Sequence, residues 1–393
     1  MLVTTSAARD LRVGLEAEVP TVAHAIKLAL PGDTIHLEPK VYREYAGFYG
    51  KRGEPGRPII LDGHGATLEG SEPIDPTRWR EVAPGHFTAT AANLLPGMDQ
   101  AVLARWFFLI DGQMQRMGRV SKGKSAPWRL PESLAPGEWT FTPTPPGAET
   151  AASGLAGTFH LRLEPGLRLA EADIAMPVRS AGVQFSGENA HLVIRNLTAS
   201  HPYNDGFNIH GDCRDVRFEN IRALNCGDDG ISAHESAQYE VDGFVSRGNA
   251  TGICDTGTAR TSYRNVCIAE CVGFDLFFLD EGRYVLTDAV ILSSAQHPFT
   301  LTARAAAECR MTLRNVLFRR LPAASPTPAQ VSARALLEAE GCTFEGLTFR
   351  TDGRAEWRDC RLDGVPSEPG AKGADLAALR HLIPDEPFLS PQP

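Results

Sequence analysis

Apolar positions recur along the chain on a fixed period. Residues 183–298 divide into five units of 22 to 24 residues. They are VQFSGENAHLVIRNLTASHPYNDG (183–206), FNIHGDCRDVRFENIRALNCGDDG (207–230), ISAHESAQYEVDGFVSRGNATG (231–252), ICDTGTARTSYRNVCIAECVGF (253–274) and DLFFLDEGRYVLTDAVILSSAQHP (275–298). Each holds a short strand, a turn, a second apolar run and a polar turn that mostly ends in Gly. No unit contains the long amphipathic run of a helical repeat. Stacked units of this size bury a core only together.

Within the short strands the alternation is period two. Val183 and Phe185, Phe207 and Ile209, Ile231 and Ala233 point one way. Gln184 and Ser186, Asn208 and His210, Ser232 and His234 point the other. A second column holds Asn196, Asn220, Asp242, Asn265, Asp288 and Asn315. Asn tolerates left-handed turn geometry, and stacked amides can satisfy one another from coil to coil. Two columns in register predict a parallel β-solenoid, an all-β fold. Cys226 and Cys271 share a column two coils apart, about 9.6 Å at ~4.8 Å per coil, too far for a disulfide. The eight cysteines show no zinc spacing and read as interior filler.

Residues 20–44, PTVAHAIKLALPGDTIHLEPKVYRE, predict a short amphipathic helix, a turn and a strand. Such a helix would cap the open end of the solenoid. PGRPIILDGHGATLEG (55–70) supplies another coil. Together with the Asn-ladder coils, these runs resemble the right-handed, single-stranded parallel β-helix of the pectin-lyase-like superfamily of carbohydrate-active proteins, over most of residues 10–360. That fold hosts hydrolases, lyases, epimerases and binding proteins, so the resemblance implies an architecture more sharply than a reaction. The expected organisation is 1–91 as N-terminal cap and first coils, 92–150 as an inserted flap over the cleft, 151–363 as site-bearing coils, and 364–393 as a C-terminal cap or tail. The flap carries Arg116, Arg119, Lys122 and Lys124 near Trp106, Trp128 and Trp139. Trp faces suit sugar rings and Arg suits acidic substituents, so Arg116, Arg119 and Trp128 are candidate substrate contacts.

Composition then narrows the field. The 39 basic and 48 acidic residues leave a net charge of −9, so nucleic acids and anionic membranes are poor global partners. No stretch reaches the ~20 apolar residues of a membrane helix. Residues 1–12 lack a secretory pattern, which leaves the compartment open: secreted or periplasmic if this is a mature form, otherwise cytoplasmic. Oligomeric state is not readable.

The period turns sequence spacing into stacking. Asp205 and Asp229 are 24 residues apart, one coil, so their backbones stack at about 4.8 Å. Asp228 stands beside them. His210 stacks on His234, with Asn208 and Glu235 adjacent and Asp255 expected one coil further on the same outward face. Three carboxylates and two imidazoles on one patch should not all ionise freely, and at least one acid is expected with a raised pKa. Asp-Gly is also a common turn dipeptide, but a turn does not require the second acid at 228. Glu235 and Asp255 read more simply as solvated turn acids.

One protonated carboxyl and one carboxylate are what glycoside hydrolysis asks for. NDGFNI (204–209) followed by GDDGIS (227–232) resembles the paired turns of polygalacturonases, and is similar to the triad of β-helix α-galactosidases. The resemblance implies Asp205, Asp228 and Asp229 as catalytic residues of an inverting hydrolase. Asp228 would be the general acid, and Asp205 and Asp229 would hold the water. His210, His234, Asn208 and Glu235 are then candidate substrate contacts, with no cofactor required. The sequence departs from polygalacturonases at Ala250-Thr251-Gly252, where they carry Gly-His-Gly, and near 275–279, where their Arg-x-Lys is missing. Polygalacturonic acid is therefore disfavoured. The same acids suit a Ca²⁺-dependent polysaccharide lyase or uronate epimerase with a His or Arg base. A non-catalytic glycan-binding β-helix is a third reading.

Overall fold

The structure is a computed structural model that describes residues 7–14, 17–94, 100–116, 129–144, 155–304, 308–322 and 327–385. It is a right-handed parallel β-helix of about 13 turns. Two parallel sheets run its length. The first stacks nine short strands, among them Ala46–Tyr49, Val183–Ser186, Phe207–Ile209, Asp229–Ala233, Thr251–Asp255 and Phe274–Leu279. The second stacks the longer runs, such as Asn189–Ser200, Cys213–Leu224, Gln238–Arg247 and Arg260–Ala269.

The register follows the apolar period. Val183, Phe207, Ile231, Ile253, Leu276 and Phe299 lie opposite one another on successive coils, and all are buried in one continuous core. Long strands turn a corner where one residue adopts the left-handed conformation: Asn196 (φ 53°), Asn220 (50°), Gly243 (81°), Asn265 (58°), Asp288 (52°) and Asn315 (51°). The side chains pair between coils, as Asn220 Nδ2 donates to Asn196 Oδ1 (3.0 Å) and Asn265 Nδ2 to Asp242 Oδ1 (2.6 Å). One member of the predicted column shifts. Asp242 lies opposite Glu219, one residue before the corner, and Gly243 takes the left-handed position because a glycine meets no Cβ penalty there.

The helix Val22–Leu28 starts at Thr21, whose side chain accepts from the His24 N–H, and buries Val22, Ala25 and Ile26 in the N-terminal end of the core. The C-terminal segment instead packs Leu379 and Ile383 on Cys267, Val290 and Leu317 of the middle coils. This segment therefore covers a flank of the long-strand sheet. All eight cysteines are buried free thiols. No described helix is long and apolar enough to cross a membrane.

The inserted region is wider than the 92–150 interval. Ala46–Tyr49 pairs directly with Val183–Ser186, and Ile59–Glu69 with Asn189–Ser200. The chain thus leaves the solenoid after Glu69 and returns one coil later near Gly182. Between them lie two four-stranded antiparallel sheets, one of Ser71–Pro73, Phe107–Ile110, Gln113–Arg116 and Ile174–Pro177, the other of Arg80–Ala83, His86–Thr90, Trp139–Pro143 and Gly157–Arg162. They close on a core of their own that holds Trp79, Trp106, Phe108, Trp139 and Phe159. Trp106 and Trp139 are accordingly interior packing residues, unavailable to a sugar.

Candidate functional site

The acids sit where the turn before each short strand stacks on the next. Asp228 N–H donates to Asn204 O (2.9 Å), and Gly206 N–H to Asp229 O (2.8 Å). This ladder superposes Asn204-Asp205 on Asp228-Asp229. Asp205 is buried; one of its oxygens accepts from the Asp229 N–H (3.0 Å) and the other from the Ser232 hydroxyl (2.7 Å). Asp229 is also buried, while the Asp228 side chain keeps 13% exposure. One oxygen from each of the three lies within 4.8 Å of the others. They would supply three of the six to eight oxygens that a Ca²⁺ ion takes.

A cation that sequence spacing did not reveal completes the cluster. Arg105, at the end of the insertion's turn Gln100–Arg105, lies 3.6 Å from Asp228 Oδ2 and hydrogen-bonds Asn204 Oδ1. Its approach depends on Gly227, where an added Cβ would stand 2.3 Å from Tyr203 O and 2.4 Å from Arg105 O. Any side chain at 227 would push the insertion off the solenoid. The only sequence signal for this contact is a glycine ahead of the acid pair.

Ser232, Asn208 and Gln184 form the middle column of the same outward face. The Ser232 hydroxyl lies 3.3 Å from Asn208 Oδ1, and Asn208 Nδ2 donates to Gln184 Oε1 (3.1 Å). His210 and His234 form the far column. Their rings stack in parallel, 4.0 Å between centroids. They stand at the opposite end of the short strands from Asp205 and Asp229, roughly 16 Å along the strand at ~3.3 Å per residue. Acids and imidazoles thus line two edges of one face instead of forming a single cluster. Glu235 binds the Gly211 N–H (2.8 Å) and His210 Nδ1 (3.3 Å). Partial burial pushes its carboxyl up, but these two partners more than offset that and hold it below its ordinary range.

Asp255 corrects an expectation. It lies opposite Ala233 and Phe278, in the inward column, and is fully buried. Its carboxyl accepts from Thr261 Oγ1 (2.6 Å), Tyr263 Oη (2.9 Å) and the Ala233 N–H (3.0 Å). Desolvation pushes it up to about 7. Thr256, not Asp255, meets His234, at 3.4 Å. Arg116 ends the strand Gln113–Arg116; Arg119 and Trp128 lie outside the described residues.

The chain matches no known protein-family profile and no curated protein sequence. Among solved structures it is similar to a glycoside hydrolase at TM-score 0.56 and 10% identity, covering 95% of this chain and 100% of that one. It is also similar to XylC in complex with xylose (TM-score 0.47, 12% identity, 87% of this chain and 70% of that one). A third is the pectate lyase Pel9A (0.46, 10%, 95% and 80%). The likeness is one of fold: these neighbours share the parallel β-helix architecture described above.

Proposed function

We propose that the chain is a glycoside hydrolase that cleaves a poly- or oligosaccharide with Asp205, Asp228 and Asp229. The observation that carries this reading is the approach of three carboxylates from adjacent coils to within 4.8 Å, at the edge of a sheet face lined with neutral hydrogen-bonding side chains. Asp228, the more exposed acid, protonates the leaving oxygen. Asp205 and Asp229 together hold the water, Asp205 being fixed in place by the Asp229 N–H and the Ser232 hydroxyl. An inverting course requires this water to reach the anomeric carbon from the face opposite the leaving oxygen that Asp228 protonates. The donor and the water-holding acids lie within 4.8 Å, closer than the roughly 6.5–9.5 Å of a facing acid–base pair, so the anomer first released tests the inverting course, and net retention would overturn it. The structural neighbour called a glycoside hydrolase is in keeping with this reading.

Arg105 favours a second reading. A guanidinium 3.6 Å from Asp228 is the kind of group that neutralises a uronate carboxylate in a polysaccharide lyase or uronate epimerase, with Ca²⁺ among the acids and a His or Arg base. A panel of neutral and acidic glycans, assayed with Ca²⁺ and with chelator, separates the readings. Hydrolysis releases reducing ends without ultraviolet absorbance and survives chelation. An unsaturated, ultraviolet-absorbing product that is lost in chelator would replace the hydrolase with a lyase, and binding without any product would leave a glycan-binding protein.

A further inference from the structure

We propose that Tyr45 and Tyr49 form a stacking platform for a neutral pyranose ring, two coils from Asp205 on the same face. The proposal rests on the carbohydrate reading of the acid trio and adds the place and the class of a remote sugar. Among the described residues, these are the only aromatic side chains in the set of exposed large apolar ones, at 42% and 61%. Phe277, further along the same face, is only part-exposed and packs on Phe274.

The platform is continuous with the site. Gly47 lies opposite Gln184, Gln184 opposite Asn208, and Asn208 opposite Ser232, whose hydroxyl holds Asp205. Gly47 to Asn208 is two coil rises, about 10 Å, a distance that a short oligosaccharide bridges. Gly47 lets the platform form. A Cβ there would stand 2.6 Å from Tyr49 Cε2 and 3.0 Å from Tyr45 Cε2, so the two rings close over bare backbone into one apolar floor. Their hydroxyls meet at 3.4 Å.

The floor belongs to an open cavity of about 380 Å³ whose lining includes Ser180, Gln184, Ser186 and Arg179. Aromatic rings below and neutral hydroxyl and amide groups beside them suit the apolar face and hydroxyls of a sugar. Charge selects the class. Arg179 is the one cation in this lining, and Glu72 engages it at 2.5 Å, so nothing there is poised to receive a uronate carboxylate. Binding at this distance from the scissile bond supplies energy that can be spent on orienting the reacting sugar.

The test reads binding on the full chain carrying Asp228→Asn, so that turnover does not enter. The probe is an array of neutral gluco-, galacto- and xylo-oligosaccharides beside uronic-acid oligomers, followed by titration calorimetry with the best neutral binder. Tyr45→Ala/Tyr49→Ala is expected to weaken that affinity about tenfold, ~1.4 kcal/mol, with an unchanged melting temperature. Tyr45→Phe/Tyr49→Phe keeps it, and Gly47→Ala, which lifts the rings, weakens it. Unchanged affinity in the double alanine variant, binding confined to uronic-acid oligomers, or no neutral binder would each overturn the proposal. If wild type turns over no glycan but the tyrosines still govern binding, the hydrolase reading fails and the platform stands. If the alanine variant binds normally while wild type turns over glycan, the platform fails and the hydrolase reading stands.

Discussion

Asp255 offers a quantitative check on the solenoid interior. The residue is fully buried, and loss of hydration pushes its carboxyl from the ordinary 3.8 up to about 7, against the opposing hydrogen bonds of Thr261, Tyr263, the Ala233 N–H and Tyr239. A folded-state pKa above the unfolded one means that the native protein holds an extra proton between about pH 4 and 7. Stability from this group is therefore fully present below about pH 4 and is lost as pH rises to about 7, after which it is flat. The interval corresponds to about 4 kcal/mol at ~1.36 kcal/mol per pH unit. Acids held low by partners, such as Asp33 and Asp62, act in the opposite sense at lower pH and do not mask this window. Asp275, also pushed up to about 7 by burial, adds to wild type and variant alike. Asp255→Asn removes one proton's worth of the slope. Urea midpoints of wild type and Asp255→Asn between pH 4.5 and 8.5 should therefore diverge with pH, the variant gaining relative stability toward pH 8. Difference infrared spectroscopy should show a protonated carboxyl at pH 5 that Asp255→Asn lacks. A wild-type-minus-variant stability that stays flat across the window, with no such band, would refute the assignment of Asp255 as a neutral interior acid.

Two further outcomes follow from the packing. Gly227→Ala forces Tyr203 O and Arg105 O away from a new Cβ; it should cost about 1–3 kcal/mol of stability and, by displacing the insertion from Asp228, lower turnover by ~10²-fold, read by thermal melts and initial rates. Asn220→Ala removes the bond to Asn196 and puts alanine at φ 50°. The expected loss is about 2 kcal/mol in chemical denaturation, and Asn220→Gly should recover the backbone share of it.

The solenoid was legible because coil spacing is periodic. Once Val183, Phe207 and Ile231 are aligned, the inward column, the Asn corners and the superposition of Asp205 on Asp229 all follow. The insertion was not legible in the same way. Its strands pair antiparallel, with no period to mark where Ser71 leaves and Pro177 returns, and Arg105 reaches Asn204 from 99 residues away. Asp255 was misplaced for a different reason. Alternation from Ile253 puts it inward, but a buried carboxylate is costly, so a solvated turn is the simpler expectation. The groups that offset that cost, Tyr263 and Thr261 on the following long strand and Tyr239 one coil earlier, lie on the opposite sheet and become visible as partners only when the two sheets are closed on each other. His210 and His234 stack as the period required, yet strand length keeps them at the far edge from the acids.

We propose Asp228 as the proton donor in glycosidic hydrolysis, with Asp205 and Asp229 holding the water. The most direct measurement is reducing-end release from a substrate found in the glycan panel, by wild type and by Asp228→Asn, with calorimetric affinity for the same glycan. Unchanged affinity and a fall in kcat of about 10²–10⁴-fold are expected. Turnover by Asp228→Asn at the wild-type rate would contradict the assignment.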